Sequence, residues 1–164
     1  MDIQHESKTL VLGIGNLVMS DDGVGVKVVQ RIQREFRFPE YVEIIDGGTL
    51  GLDLLHMLEQ IENLIVIDAV ETGREPGTCI RLAGEELPIA LETKVSPHQM
   101  GLKDLLAVAR LMGHLPHEMV LIGVQPGSIE MGAELTPEVE TKVDVLIENV
   151  LKELKRWNIS ATPV

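Results

Sequence analysis

Thr9–Gly25 reads TLVLGIGNLVMSDDGVG, and three kinds of local chemistry follow one another along it. The apolar run Leu10–Leu12 has the composition of a buried strand. Gly13-Ile14-Gly15-Asn16 breaks that run, and Gly23-Val24-Gly25 opens a helical pattern. Strand, Gly-rich loop and helix start, in that order, are the beginning of an α/β unit. The loop is a poor dinucleotide cradle, however. The phosphate fingerprint needs a third glycine three residues after the second, and that position is Val18. The loop also carries Asp21 and Asp22 and no Lys or Arg, so it repels a pyrophosphate and suits a cation.

Working outward, the chain alternates strand-like and helix-like segments. Strands are predicted at 9–12, 42–45, 64–67, 78–82 and 119–124. Helices are predicted at 22–36, 52–58 and 100–112, with a long last helix from Pro137 to Trp157. Val24, Val28, Val29 and Ile32 recur on one face of the first helix, and Asp21 or Asp22 is placed to cap its start. The loop 71–77 is too short for a crossover helix, so the fourth strand is expected to run antiparallel. The alternation predicts one three-layer α/β/α domain over 1–164 with a mostly parallel sheet and loose tails at 1–8 and 158–164.

Composition narrows the function classes. Aromatic residues are 2% of the chain while hydrophobic residues are 45%, so the core must be aliphatic, as parallel sheets of Val, Ile and Leu are. With 26 acids against 14 bases the formal net charge is −12, which disfavours nucleic acid and anionic membrane as partners. The single cysteine, Cys79, precludes an intramolecular disulfide and reads as a small core hydrophobe inside a strand. Met1–Lys8 has no signal-like apolar core, and no apolar run approaches the ~20 residues of a membrane span. The expectation is a soluble cytoplasmic monomer.

In open α/β sheets, ligands bind beyond the carboxyl ends of the strands. Three of these ends carry an acid: Asp22 after the first strand, Asp46 at the end of the second and Asp68 at the end of the third. His98, after Ser96-Pro97, enters the third helix. Asp21 is the better helix cap, which leaves Asp22 to the site. Asp68 follows four aliphatic residues, where a carboxylate needs a partner or a cation to offset its desolvation. Asp46, before Gly-Gly-Thr, is read either as a turn-holding acid or as a site residue. His114 and His117 flank Pro116 and read as surface residues. Two or three Asp with one His form an O/N donor set suited to zinc, nickel, manganese or iron. Such a site could activate water or hold a metal that belongs to a partner.

These motifs resemble the [NiFe]-hydrogenase maturation endopeptidases. The likeness runs through GIGN with Asp21-Asp22-Gly23 and Gly25, Asp46-Gly47-Gly48-Thr49-Leu50-Gly51, Ile67-Asp68-Ala69, and Ser96-Pro97-His98-Gln99-Met100-Gly101. The resemblance implies a phosphorylase/hydrolase-like five-stranded sheet in the order 2-1-3-5-4, with strand 4 antiparallel. It implies a peptidase that removes the C-terminal extension of the hydrogenase large-subunit precursor after nickel insertion, by aspartic-type or metal-dependent hydrolysis. The metal-binding residues map onto Asp22, Asp68 and His98, and Asp46 onto a further acid implicated in activity. Nickel would arrive with the substrate, and zinc or cadmium could occupy the same site. The family usually carries Glu where this chain has Asp22, a difference of about 1.5 Å in reach. A metal-dependent chaperone that holds the precursor without cutting it is the competing function. A nucleotide-binding module is a third reading, which the acidic loop argues against.

Overall fold

The computed structural model describes residues 7–48, 55–87 and 100–164. The central sheet is built from β1 (Thr9–Ile14), β3 (Val42–Gly48), β4 (Asn63–Ala69), β5 (Cys79–Ala83) and β6 (Glu118–Val124). Two short strands, β2 (Phe36–Arg37) and β7 (Thr162–Pro163), form a separate antiparallel pair. The helices are α1 (Val24–Glu35), α2 (Leu55–Leu58), α3 (Met100–Leu111), α4 (Pro137–Glu140) and α5 (Val143–Arg156). The sheet order is β3-β1-β4-β6-β5, and only β5 runs antiparallel to its neighbour. Counting the five sheet strands alone, this is the expected 2-1-3-5-4.

Strand periodicity divides the core into two layers. Leu10, Leu12, Ile14, Leu64, Val66 and Leu121 pack on one face against Leu58 of α2 and Leu106 and Ala109 of α3. Val11, Ile65, Ile67, Val120 and Ile122 pack on the other against α1 and α5. The anticipated helix face, Val24, Val28, Val29 and Ile32, is fully buried there. Each such aliphatic side chain contributes roughly 1.5–3 kcal/mol when withdrawn from water, so an aromatic-poor core suffices.

Three expectations need correction. Neither Asp21 nor Asp22 caps the first helix. A 3-10 turn, Ser20–Gly23, precedes α1, and no side chain caps either element. Both carboxylates face other donors. The long last helix is interrupted at Thr141–Lys142, where the Thr141 hydroxyl donates to the Glu138 carbonyl (3.1 Å). Such back-bonding bends helices. Residues 158–164 are tied down rather than loose. Asn158 takes a left-handed φ of 61°, the Ile159 N–H bonds the Leu154 carbonyl and the Asn158 N–H that of Lys155. This pairing is a Schellman cap. The chain then reaches β7, and the Val164 N–H bonds the Glu35 carbonyl.

Candidate active site

The turn that carries Asp22 is held by close backbone approach. Gly15 has φ +126°, and a Cβ there would lie 1.8 Å from the Asp22 carbonyl oxygen. Only glycine fits such a position. Gly25 lies against the carboxyl ends of two strands, since its Cβ would meet the Ile67 oxygen at 2.0 Å and the Ile14 oxygen at 2.7 Å. The start of α1 therefore sits directly over β1 and β4, and the Ser20–Gly23 turn contacts β4. Asp22 is brought in this way to the end of the sheet where β4 terminates in Asp68-Ala69.

Both carboxylates are buried, Asp22 at 2% and Asp68 at 0% exposure. The Asn16 N–H donates to Asp22 Oδ2 (3.0 Å), and the Ala69 N–H donates to Asp68 Oδ1 (2.8 Å). Each acid is thus oriented by a nearby backbone amide, Asn16 in the loop before Asp22 and Ala69 next to Asp68 at the end of β4. By strand alternation Asp68 shares the face of Leu64 and Val66, the face covered by α2 and α3. His98 precedes α3 by two positions and lies outside the described residues, as does Thr49–Gly51.

Asp46 is placed differently. It belongs to the body of β3, opposite Gly13, on the face of Val42 and Ile44 that packs against α1. Its side chain is exposed, and Gln30 of α1 donates to Oδ2 at 3.4 Å. Asp22 and Asp68 therefore gather at one end, while Asp46 lies on the opposite face of the sheet from Asp68. His114 and His117 belong to the loop between α3 and β6. Among the described residues no three side chains of His, Cys, Asp or Glu are grouped as a metal would need.

Sequence reasoning missed two supports of this region. Asp21 is fully buried and accepts from the N–H groups of Gly127 (2.7 Å), Ser128 (3.1 Å) and Thr136 (2.8 Å), and from the Thr136 hydroxyl (2.7 Å). Gln125, at the end of β6, accepts from the Thr72 N–H (2.6 Å) and hydroxyl (2.8 Å) and donates to Glu71 Oε2 (2.9 Å). That fixes the loop leaving β4. A polar residue closing an apolar strand was the available signal for Gln125. No local signal exists for Asp21, whose partners lie more than a hundred positions away. Cys79 is half-buried in β5, and burial pushes its thiol above the ordinary range, partly offset by Lys142. A raised thiol is a poor nucleophile at neutral pH.

A family model described as hydrogenase maturation protease matches residues 26–153 of the chain. The hydrogenase 2 maturation protease of Escherichia coli K12 is 40% identical over 157 residues, covering 95% of this chain and 96% of the relative. The hydrogenase expression/formation protein HupD of Rhodobacter capsulatus is 43% identical over 157 residues, covering 94% and 75%. The solved hydrogenase maturating endopeptidase HybD from E. coli superposes with a TM-score of 0.92 at 39% identity, over 95% of this chain and 97% of that one.

Proposed function

Because this chain belongs to the hydrogenase maturation protease family, we propose that it is the endopeptidase that removes the C-terminal extension of a nickel-loaded [NiFe]-hydrogenase large-subunit precursor. The observation that carries this reading is the pair of buried carboxylates, Asp22 and Asp68, at one carboxyl end of the sheet. Their oxygen donors, joined by an imidazole, suit a borderline divalent cation. His98 is the imidazole we assign. This set of three leaves coordination positions open, so the nickel stays part of the substrate and the precursor supplies further ligands. Zinc or cadmium would take the same donors in its place. A bound cation supplies Lewis-acid chemistry, polarising a carbonyl or acidifying a water.

The chain's own residues provide position and selectivity. Asn16 and Ala69 hold the two carboxylates in fixed orientations through their N–H groups. Gathered acids repel one another until a cation joins them, so an unmetallated precursor docks poorly. Docking through the metal holds the scissile carbonyl beside Asp22 and Asp68, which removes part of the entropic barrier. Asp46 then acts from outside this cluster, on the α1 face. Net charge −12 favours a protein substrate over nucleic acid or an anionic membrane. No described helix is long and apolar enough to cross a membrane. We place the activity in the cytoplasm, with the monomer as the working unit.

The test is release of the C-terminal peptide, followed by mass spectrometry, from precursor purified out of nickel-replete and nickel-starved cells. Release from the first, and at least about tenfold slower release from the second, is expected from the effective-concentration argument. Binding without release would establish a holding chaperone. Equal rates would remove the metal checkpoint and leave acid–base hydrolysis by Asp22 and Asp68.

A further inference from the structure

Asp21 and Asp22 are adjacent in sequence, both buried, and their carboxylates are bound to separate parts of the chain. Asp22 is held by Asn16 in its own loop, whereas Asp21 is held by residues 127–136. That segment is fastened to residues 18–21, which lead into and open the Ser20–Gly23 turn, at several further points. The Gly132 N–H bonds the Val18 carbonyl (2.9 Å), the Ser20 N–H bonds the Gly132 carbonyl (2.8 Å), and the Asp21 N–H bonds the Ser128 carbonyl (3.0 Å). The Ser20 hydroxyl donates to the Glu130 carbonyl (2.7 Å). Ser20 itself has φ 51°, a left-handed conformation that a non-glycine residue keeps only when its surroundings enforce it.

We infer that Asp21 is a positioning residue, which through residues 127–136 sets where the Asp22 carboxylate sits; the inference rests on the reading of Asp22 as a site residue. Both oxygens of Asp21 accept, Oδ1 from one donor and Oδ2 from three. A carboxylate bound by four donors is a strong, charge-assisted anchor. An amide cannot replace it, because either orientation of Asn would set an NH₂ group against an N–H or O–H. Thr136 shows the same priority. It stands at the N-cap of α4 yet caps nothing, and its hydroxyl goes to Asp21. The anchor fixes the backbone of the 3-10 turn one residue before Asp22. Outer partners that orient a ligand in this way are typically worth about 10–100-fold in metal affinity or activity.

The experiment uses the full chain and three readouts: the Asn16 amide resonance, the affinity for cadmium alone by calorimetry, and kcat against KM for peptide release. The Asn16 N–H reports Asp22 directly, since it donates to Oδ2 at 3.0 Å. In Asp21→Asn the Asn16 resonance is expected to shift, cadmium binding to weaken about 10–100-fold and kcat to fall with it, KM changing less. A folded Asp21→Asn protein with the wild-type Asn16 resonance, cadmium affinity and kcat would overturn the inference, leaving Asp21 as a staple of the fold alone. If that variant does not fold, Thr136→Val removes one donor and keeps the side-chain shape, while Thr136→Ser restores the hydroxyl. Weaker cadmium binding in the first and recovery in the second support the positioning role. Identical behaviour of both variants and the wild type contradicts it. Should the wild type neither bind cadmium nor release peptide, the proposed function fails, and the Asn16 resonance still decides what Asp21 does.

Discussion

Asp22 carries its carboxylate on the shorter of the two acidic side chains, and the backbone is built tightly around it. The Gly15 approach constrains its backbone carbonyl, and the Asn16 amide on Oδ2 orients its side chain. Asp22→Glu keeps the donor type and adds one methylene in a turn with little spare room. It is therefore expected to retain peptide release within about tenfold of wild type, since overpacking of this kind costs about 1–3 kcal/mol, part of which relaxes. Inactivity equal to that of Asp22→Asn would show that the shorter acid has a separate task. At Cys79 the raised thiol makes a second expectation. Thiolate forms only above the ordinary cysteine range, so alkylation by iodoacetamide should be slow at pH 7 and rise at higher pH than for a free thiol. Reaction at the rate of an exposed cysteine at pH 7 would contradict the half-buried setting. Desolvation beside an aliphatic run singles out Asp68 in the sequence, and Asp21 reads there as a helix cap with Asp22 left to the site. The cap does not form. Which of Asp21 and Asp22 is the anchor depends on donors contributed by Gly127, Ser128 and Thr136.

At the scale of elements, α1 governs the site because its first turn lies on strand backbone. Gly25→Ala would improve helix propensity by about 1 kcal/mol. The new Cβ would nevertheless overlap the Ile67 and Ile14 oxygens. The helix must then move away from β1 and β4, at a net cost of about 2 kcal/mol or more. For a chain of this length that is a fall in Tm of roughly 4–8 °C, measurable by calorimetry, with loss of peptide release as the turn moves. An unchanged Tm would mean that α1 is free to shift. Helix existence was legible from periodicity, as Val24, Val28, Val29 and Ile32 confirm. The end of the last helix was expected at Trp157, and Trp157 is its C-cap, with Asn158 in a left-handed conformation just beyond. Its interior was less legible. The break at Thr141–Lys142 depends on a hydroxyl choosing a carbonyl in place of solvent.

For the whole molecule, the doubly covered sheet sorts the acids. Alternation sends Asp68 to the face under α2 and α3 and Asp46 to the face under α1, while the turn before α1 carries Asp22 to the end of β4. A linear reading that counts strand ends sees three equivalent acids, because faces are assigned only once register is known. The antiparallel run of β5 was legible beforehand, since the 71–77 loop is too short for a crossover helix, whereas the order of the strands was implied by the family resemblance and not by any local signal. The central claim is that Asp68 serves chemistry rather than folding. Asp68→Asn keeps the shape and one carbonyl oxygen while removing the charge from a fully buried position. The direct measurement is peptide release from nickel-loaded precursor by this variant, alongside its circular dichroism and Tm. The account predicts release reduced by about 100-fold or more, with native circular dichroism and a Tm equal to or above wild type because buried charge has been relieved. Release at the wild-type rate by the folded variant would contradict it.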